Sequence, residues 1–160
     1  MESMITVGIA DLNVTASPGA IATYALGSCV GICLYDPDRK IAGLAHIMLP
    51  WSKDAGSHSD NMRRYADTGI TELIQKMCSI GASSSRIYAK IAGGAQMFKT
   101  TSCVFNIGDR NVEAVKKVLE TYRIRILAEE TGQNFGRTVF FYAEDGIMEV
   151  RAATKQIIRV

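Results

Sequence analysis

The sequence contains no block of like charge, and this absence argues against a nucleic-acid-binding protein. Its 18 basic and 16 acidic side chains are mixed along the chain and leave a net charge of +2. Proteins that bind nucleic acid usually concentrate their basic residues in a patch or stripe that contacts the phosphates. We therefore expect no nucleic-acid partner.

Long apolar runs are also missing. No apolar segment approaches the roughly 20 residues that a helix needs to cross a bilayer, so we expect a protein that is not membrane-embedded. The first residues, MESMITVGIADLNV, carry Glu2 where a signal peptide carries positive charge, and Asp11 interrupts the apolar stretch. These features predict a cytoplasmic location.

Cysteine is scarce, since the chain has only Cys29, Cys33, Cys78 and Cys103. Four cysteines are too few for a disulfide scaffold in a chain of 160 residues. In a reducing compartment a cysteine is structural, a metal ligand or reactive. The functional question is which of these roles each cysteine has.

Apolar content and length predict one folded domain over residues 1–160. Hydrophobic residues make up 48% of the chain, which is ordinary for a globular protein. A chain of this size can bury roughly 70% of its unfolded surface. Neither an internal repeat nor a long linker divides the sequence.

Local patterns predict a series of short strands and at least two helices. One helix should run from residue 61 to about 80, capped by Asp60, and the other from about 109 to 122, capped by Asp109. Asp145-Gly146 predicts a hairpin. The strands are predicted over 4–10, 20–26, 29–35, 40–49, 86–92, 123–130, 137–143 and 147–152. The expected fold is α/β, a layered sandwich of mixed β-sheets with helices packed on one side.

The segment around Cys29 has the features of a nucleophile turn. Cys29 follows Leu26-Gly27-Ser28, where a strand enters a Gly-Ser turn. Glycine allows the sharp bend that lifts a nucleophile toward a substrate, and backbone N–H groups at Gly27 and Ser28 could hold an oxyanion. Burial in the core is the competing interpretation, since free cysteine is among the most buried residue types, and it is kept for the other three cysteines.

A thiol needs a base to ionise at neutral pH, and His46 is the candidate. It lies 17 residues after Cys29 on an apolar segment, which the next strand could bring opposite Cys29. A satisfied core histidine is the alternative. Thr23 is ranked first as the group that orients the imidazole, ahead of the nearby carboxylates of Asp36, Asp38 and Asp54.

A zinc site is the sharpest competing hypothesis. Cys29, Cys33 and His46 match the first three ligands of a zinc-finger spacing, but residues 50–52 (Pro-Trp-Ser) offer no fourth ligand. In an extended segment Cys29 and Cys33 would be about 13 Å apart, too far for one ion. We therefore expect no metal.

The blocks LGSC (26–29) and AHIMLP (45–50) lie within a stretch that resembles the chemoreceptor glutamine deamidase family, CheD. The stretch runs from Thr23 to Pro50 and reads TYALGSCVGICLYDPDRKIAGLAHIMLP. The resemblance continues, in the same order, through residues 64–68, 89–98, 107–112, 129–132 and 136–138.

This resemblance implies a substrate and a mechanism. Family members convert glutamines on the cytoplasmic helices of methyl-accepting chemotaxis receptors to glutamate, and some also demethylate receptor glutamyl esters. The family's catalytic cysteine, histidine and threonine fall on Cys29, His46 and Thr23. The resemblance also implies a fold like that of cytotoxic necrotizing factor-type deamidases, the phosphatase CheC as a partner, and no metal or organic cofactor.

The expected activity is a protein-glutamine glutaminase that uses a thiol nucleophile and a thioester intermediate to regulate chemotaxis. A non-catalytic adaptor that binds receptors and the CheC phosphatase is the alternative.

Overall fold

The computed structural model describes residues 3–54, 61–97 and 106–160, which form ten strands and two helices. The strands are β1 (Met4–Val7), β2 (Asp11–Ala16), β3 (Ala20–Leu26), β4 (Val30–Asp36), β5 (Ile41–Ile47), β6 (Tyr88–Gly93), β7 (Ile126–Thr131), β8 (Arg137–Tyr142), β9 (Met148–Ala152) and β10 (Ile157–Arg159). The helices are α1 (Ala66–Ser79) and α2 (Ile107–Thr121). No described helix is long and apolar enough to cross a membrane.

The strands form two five-stranded mixed sheets. The first sheet has the order β1-β3-β8-β9-β10 and the second has the order β2-β5-β4-β6-β7. The β1–β3 and β6–β7 pairs are parallel, and the other pairs are antiparallel. The predicted class, α/β with mixed sheets, is therefore confirmed.

The side chains of β4 alternate between two cores, and this alternation shows how the sheets and helices stack. Val30, Ile32 and Leu34 belong to the core that both helices share with the second sheet. Cys33 and Tyr35 point the other way and belong to the core between the two sheets. Because both faces of β4 are covered, its sequence is almost continuously apolar. The protein is thus a three-layer sandwich, with both helices on the outer face of the second sheet.

Most predicted strands are present, but β2 and β10 were not predicted. β2 carries polar residues at alternate positions and is mostly half-buried, because it is an edge strand of the second sheet. β10 has three residues and is another edge strand. Short polar edge strands give a weak local signal, since pairing with a neighbour rather than apolar periodicity defines them.

The predicted helix starts were wrong in detail. α1 begins at Ala66, after a 3-10 turn at Met62–Arg64, and the Ala66 N–H donates to the carbonyls of Leu49 and Pro50. A tertiary contact therefore sets this start, and Asp60 lies outside the described residues. Asp109 lies inside the first turn of α2, whose N-cap position is Asn106. The Asp145-Gly146 hairpin between β8 and β9 is confirmed.

Candidate active site

Thr23 and His46 form a buried hydrogen-bonded pair between the two sheets. Thr23 Oγ1 lies 2.7 Å from His46 Nδ1, and both side chains are 0% exposed. The same hydroxyl donates to the Val7 carbonyl at 2.8 Å. A threonine hydroxyl has one hydrogen, so Thr23 Oγ1 must accept from His46. Nδ1 therefore carries the proton, and Nε2 has a free lone pair.

Strand alternation aims these two side chains at each other. Thr23 lies on β3 with Ile21, which faces the core between the sheets. His46 lies on β5 two residues after Leu44, which faces the same core. Side chains two residues apart on a strand share a face. The pair therefore spans the sandwich, from one sheet to the other.

Asp36, one of the three carboxylates ranked below Thr23, is engaged elsewhere. Asp36 is buried at the end of β4, where it accepts from the Arg86 guanidinium at 2.8 Å and from the Ser83 backbone at 2.9 Å. These bonds tie the β4–β5 turn to the segment before β6. Asp36 therefore has a structural role at the opposite end of β4 from Cys29.

Burial keeps the His46 imidazole neutral. It lowers the pKa of His46 to about 4, because the charged form is poorly solvated between the sheets. Nε2 forms no hydrogen bond with any described residue. At neutral pH the ring is therefore a base with its lone pair available.

This burial makes folding sensitive to acid. An unfolded histidine has a pKa of about 6.5, so the unfolded chain takes up a proton below that pH while folded His46 stays neutral until about pH 4. Above pH 6.5 protonation of His46 should therefore not reduce the free energy of unfolding. As the pH drops from 6.5 through 4, the free energy of unfolding should fall by up to about 3 kcal/mol. Urea unfolding at pH 7 and pH 4.5 measures this loss.

The matched variant for that measurement is His46→Asn, which has no group that titrates in this range. The carboxylates titrate in both proteins, so the difference between them isolates His46. An equal loss of stability in both proteins would contradict the neutral, buried state of the imidazole.

Cys29 lies at the entrance to β4, diagonally across from His46. In the β4–β5 ladder Gly31 is directly opposite His46. Cys29 is two residues before Gly31, and diagonal neighbours in a ladder are about 7–8 Å apart. Gly31 has no side chain, and the Leu26 side chain packs where its Cβ would lie, at 3.2 Å. Cys29 is half-buried and packs against the core between the sheets, whereas Cys33 is fully buried in it.

The thiol and the imidazole are both uncharged in this state. Burial raises the pKa of the Cys29 thiol, and its own backbone N–H offsets part of that effect. No hydrogen bond links Cys29 Sγ to His46 Nε2 among the described residues. Catalytic hydrogen bonds are often long before substrate binds and shorten in the complex.

Three carbonyls of residues 27–29, the predicted nucleophile turn, are anchored in the protein. Ala95 N donates to Gly27 O at 2.9 Å and Gly94 N donates to Cys29 O at 2.8 Å. Ser28 O accepts from the side chain of Asn111 at 2.9 Å. A Cβ at Gly93 would lie 2.3 Å from the Cys29 carbonyl, so this close approach requires glycine.

These anchors determine where the turn's N–H groups point. In a planar trans peptide the C=O and N–H point in opposite directions. The Ser28 N–H therefore points away from Ala95, and the Cys29 N–H points away from Asn111 toward its own sulfur. Neither N–H donates to a backbone carbonyl among the described residues. Two free donors beside a thiol are the arrangement that stabilises an oxyanion.

The structure thus brings together Thr23 and His46 by direct contact, and Gly27, Ser28 and Cys29 in one anchored turn. The Gly27 N–H, predicted as an oxyanion donor, instead donates to the Ala25 carbonyl at 3.1 Å. Asn111 was not singled out from the sequence, because asparagine on a helix carries no distinctive local signal. No group of three or more His, Cys, Asp or Glu side chains in the described part of the chain could hold a metal ion.

Comparison with known proteins shows similarity to one family throughout. The family model described as CheD chemotactic sensory transduction matches residues 48–152. A probable chemoreceptor glutamine deamidase CheD of Caldanaerobacter subterraneus subsp. tengcongensis is 54% identical, with 94% of each chain covered. That alignment spans the positions of Thr23, Cys29 and His46, which precede the range of the family model.

Two further relatives are described in the same words, but without the word "probable". The chemoreceptor glutamine deamidase CheD of Halalkalibacterium halodurans is 48% identical, with 94% of each chain covered. That of Thermotoga maritima is 46% identical, with 91% of this chain and 89% of the relative covered.

Proposed function

This chain belongs to the CheD family, and from that premise we propose that it is a chemoreceptor glutamine deamidase. It hydrolyses the side-chain amide of receptor glutamines to glutamate and ammonia, which makes it a protein-glutamine glutaminase. The observation that carries the proposal is the neutral His46, held by Thr23 with Nε2 free, next to an anchored cysteine turn.

In the first half of the reaction Cys29 is the nucleophile. His46 Nε2 takes the thiol proton, and the sulfur bonds to the glutamine carboxamide carbon. The carbonyl oxygen becomes an oxyanion, which accepts from the free N–H groups of Ser28 and Cys29. His46 then returns its proton to the departing nitrogen. The C–N bond breaks, ammonia leaves, and a thioester remains.

In the second half water replaces the amine. His46 removes a proton from water as the water oxygen attacks the thioester carbon, and the same N–H groups hold the second oxyanion. The C–S bond then breaks, and the sulfur recovers a proton from the imidazolium. The net change is the addition of one water, the release of ammonia and the formation of glutamate. The chain's own residues account for every step.

Thr23 contributes by holding the imidazole in the correct tautomer. Thr23→Val keeps the shape of the side chain but leaves His46 Nδ1 without its acceptor, so the ring can rotate or protonate at Nε2. Loss of such an orienting partner commonly costs about 10- to 100-fold in turnover. We expect this fall in kcat for Thr23→Val, with near-normal kcat for Thr23→Ser, which keeps the hydroxyl.

Steady-state kinetics on a receptor fragment measures this, and circular dichroism shows whether each variant is folded. Equal activity of the valine and serine variants would remove Thr23 from the mechanism, because only the hydroxyl distinguishes them in this role.

The proposal has several finer features. A glutamyl methyl ester presents the same carbonyl with methanol as the leaving group, so we include receptor methylesterase activity. The substrates are the cytoplasmic helices of methyl-accepting chemotaxis receptors, and a cytoplasmic location follows from them. We also include CheC as a binding partner, and one functional domain over residues 1–160.

We further propose that the fold corresponds to that of cytotoxic necrotizing factor-type deamidases. The layered arrangement of two mixed sheets with both helices on one side supports this correspondence.

The proposal is tested by incubating the protein with a receptor cytoplasmic fragment and measuring ammonia release and fragment mass. Deamidation releases one ammonia and adds about 1 Da at each modified glutamine. Binding of the fragment without either signal would instead identify the adaptor function.

A further inference from the structure

We infer that Asn111 is a positioning residue that holds the nucleophile turn and the end of the His46 strand in register; this inference rests on the proposed function. Asn111 Nδ2 donates to Ser28 O at 2.9 Å and to Met48 O at 2.9 Å. These two carbonyls belong to separate segments, one entering β4 and the other leaving β5. A single carboxamide therefore links them.

The orientation of the amide follows from its contacts. Both contacted groups are carbonyl oxygens, which only accept. If the amide were reversed, its oxygen would face two acceptors, so the NH₂ group must be the one that faces them. Two hydrogens serve two carbonyls, and the donor capacity of the side chain is fully used.

One of the two bonds acts near Cys29 and the other acts near His46. Ser28 O belongs to the peptide unit whose N–H is that of Cys29, so the bond from Asn111 orients that N–H toward the sulfur. Met48 follows His46 by two residues, just after the end of β5, where its N–H donates to the Arg64 carbonyl and its own carbonyl accepts from Asn111. Asn111 thus constrains the distance between the thiol and the imidazole.

The helix that carries Asn111 is itself rigidly docked. A Cβ at Gly108 would lie 2.5 Å from the carbonyls of Gly94 and Ala95, so α2 approaches the loop after β6 as closely as glycine permits. Gly94 and Ala95 donate to the nucleophile turn. The turn is therefore held from two sides by elements that also contact each other.

The two bonds use only the NH₂ group of Asn111. The side chain is 0% exposed, and Oδ1 has no hydrogen-bond partner among the described residues.

We expect Asn111→Ala to lower kcat on a receptor fragment by about 10²-fold, the effect of a misplacement of about 1 Å at a reacting pair. KM should change by less than about 3-fold, since Asn111 is buried and has no access to substrate. The pH profile of Cys29 alkylation by iodoacetamide, followed at Cys29 by mass spectrometry, should shift to higher pH. The reason is that the Cys29 N–H would no longer be held beside the Cys29 sulfur.

Val115→Ala is the matched control for lost stability. Val115 is also buried on α2 but packs into the core shared by the helices and the second sheet. It should destabilise the protein while leaving kcat within about 3-fold and the alkylation profile unchanged. Equal kcat losses in the two variants, or an unchanged alkylation profile in Asn111→Ala, would overturn the positioning role.

The alkylation profile also separates this inference from the proposed function, because it needs no receptor. A shifted profile together with a wild type that never deamidates receptors would retain the positioning role and reject the substrate. A wild type that deamidates receptors, together with a fully active Asn111→Ala variant, would retain the proposed function and reject the positioning role of Asn111.

Discussion

Cys29→Ala should leave a receptor cytoplasmic fragment unmodified under conditions in which the wild type raises its mass by about 1 Da per modified glutamine. The alanine variant has no atom that can form the thioester, and no other described cysteine can replace Cys29. Cys33 is fully buried four residues along the strand, and Cys78 is on the surface of α1. The loss should therefore be complete within the sensitivity of mass spectrometry.

Cys78→Ala is the control for this experiment. It also removes one thiol, but from an exposed helix position away from β4, so its activity should equal that of the wild type. Cys29→Ala should also stay folded, since it shortens a half-buried side chain at a strand entrance. A Cys29→Ala protein that still produces the mass shift would eliminate Cys29 as the nucleophile.

His46→Asn should lower kcat by roughly 10⁴-fold, as expected when a general base is removed from an activated nucleophile. Asparagine keeps an N–H donor close to the position of Nδ1 and can still bond to Thr23. It lacks a group at the position of Nε2. The variant therefore separates the base from the scaffold that surrounds it, and thermal unfolding confirms that the scaffold remains.

The state of the thiol provides a second measurement on the same variant. In the wild type the neutral imidazole can accept the Cys29 proton, whereas in His46→Asn the thiol has only solvent as its base. The alkylation profile of Cys29 should therefore move to higher pH, in the direction that burial already favours. An unchanged profile, or retained turnover, would exclude His46 as the activating base.

Much of the fold was predictable because its signals are local. β3, β4 and β5 were predicted as strands, and Asp145-Gly146 predicted the hairpin between β8 and β9. The polar edge strand β2 and the start of α1 were not predictable in the same way. Both depend on contacts with segments far away in sequence, which local propensity does not encode.

In the candidate site, too, some features depend on local sequence and others on distant contacts. Cys29 in its Gly-Ser turn and His46 on a buried strand were found from residue type and neighbours. Thr23 was ranked above the carboxylates, and its contact with His46 at 2.7 Å is now explained by sheet membership. β3 and β5 belong to opposite sheets, so the two side chains meet across the core rather than along a ladder.

By itself, the sequence indicated most of the strands, the approximate position of both helices, and the cysteine and histidine that are candidates for catalysis. Backbone preference, side-chain periodicity and turn chemistry act over a few residues and are legible in one chain. Only the tertiary structure decided that Thr23 fixes the tautomer of His46, and that Asn111 reaches Ser28 and Met48. These contacts result from how two sheets and a helix pack, and packing depends on the whole set of buried surfaces at once.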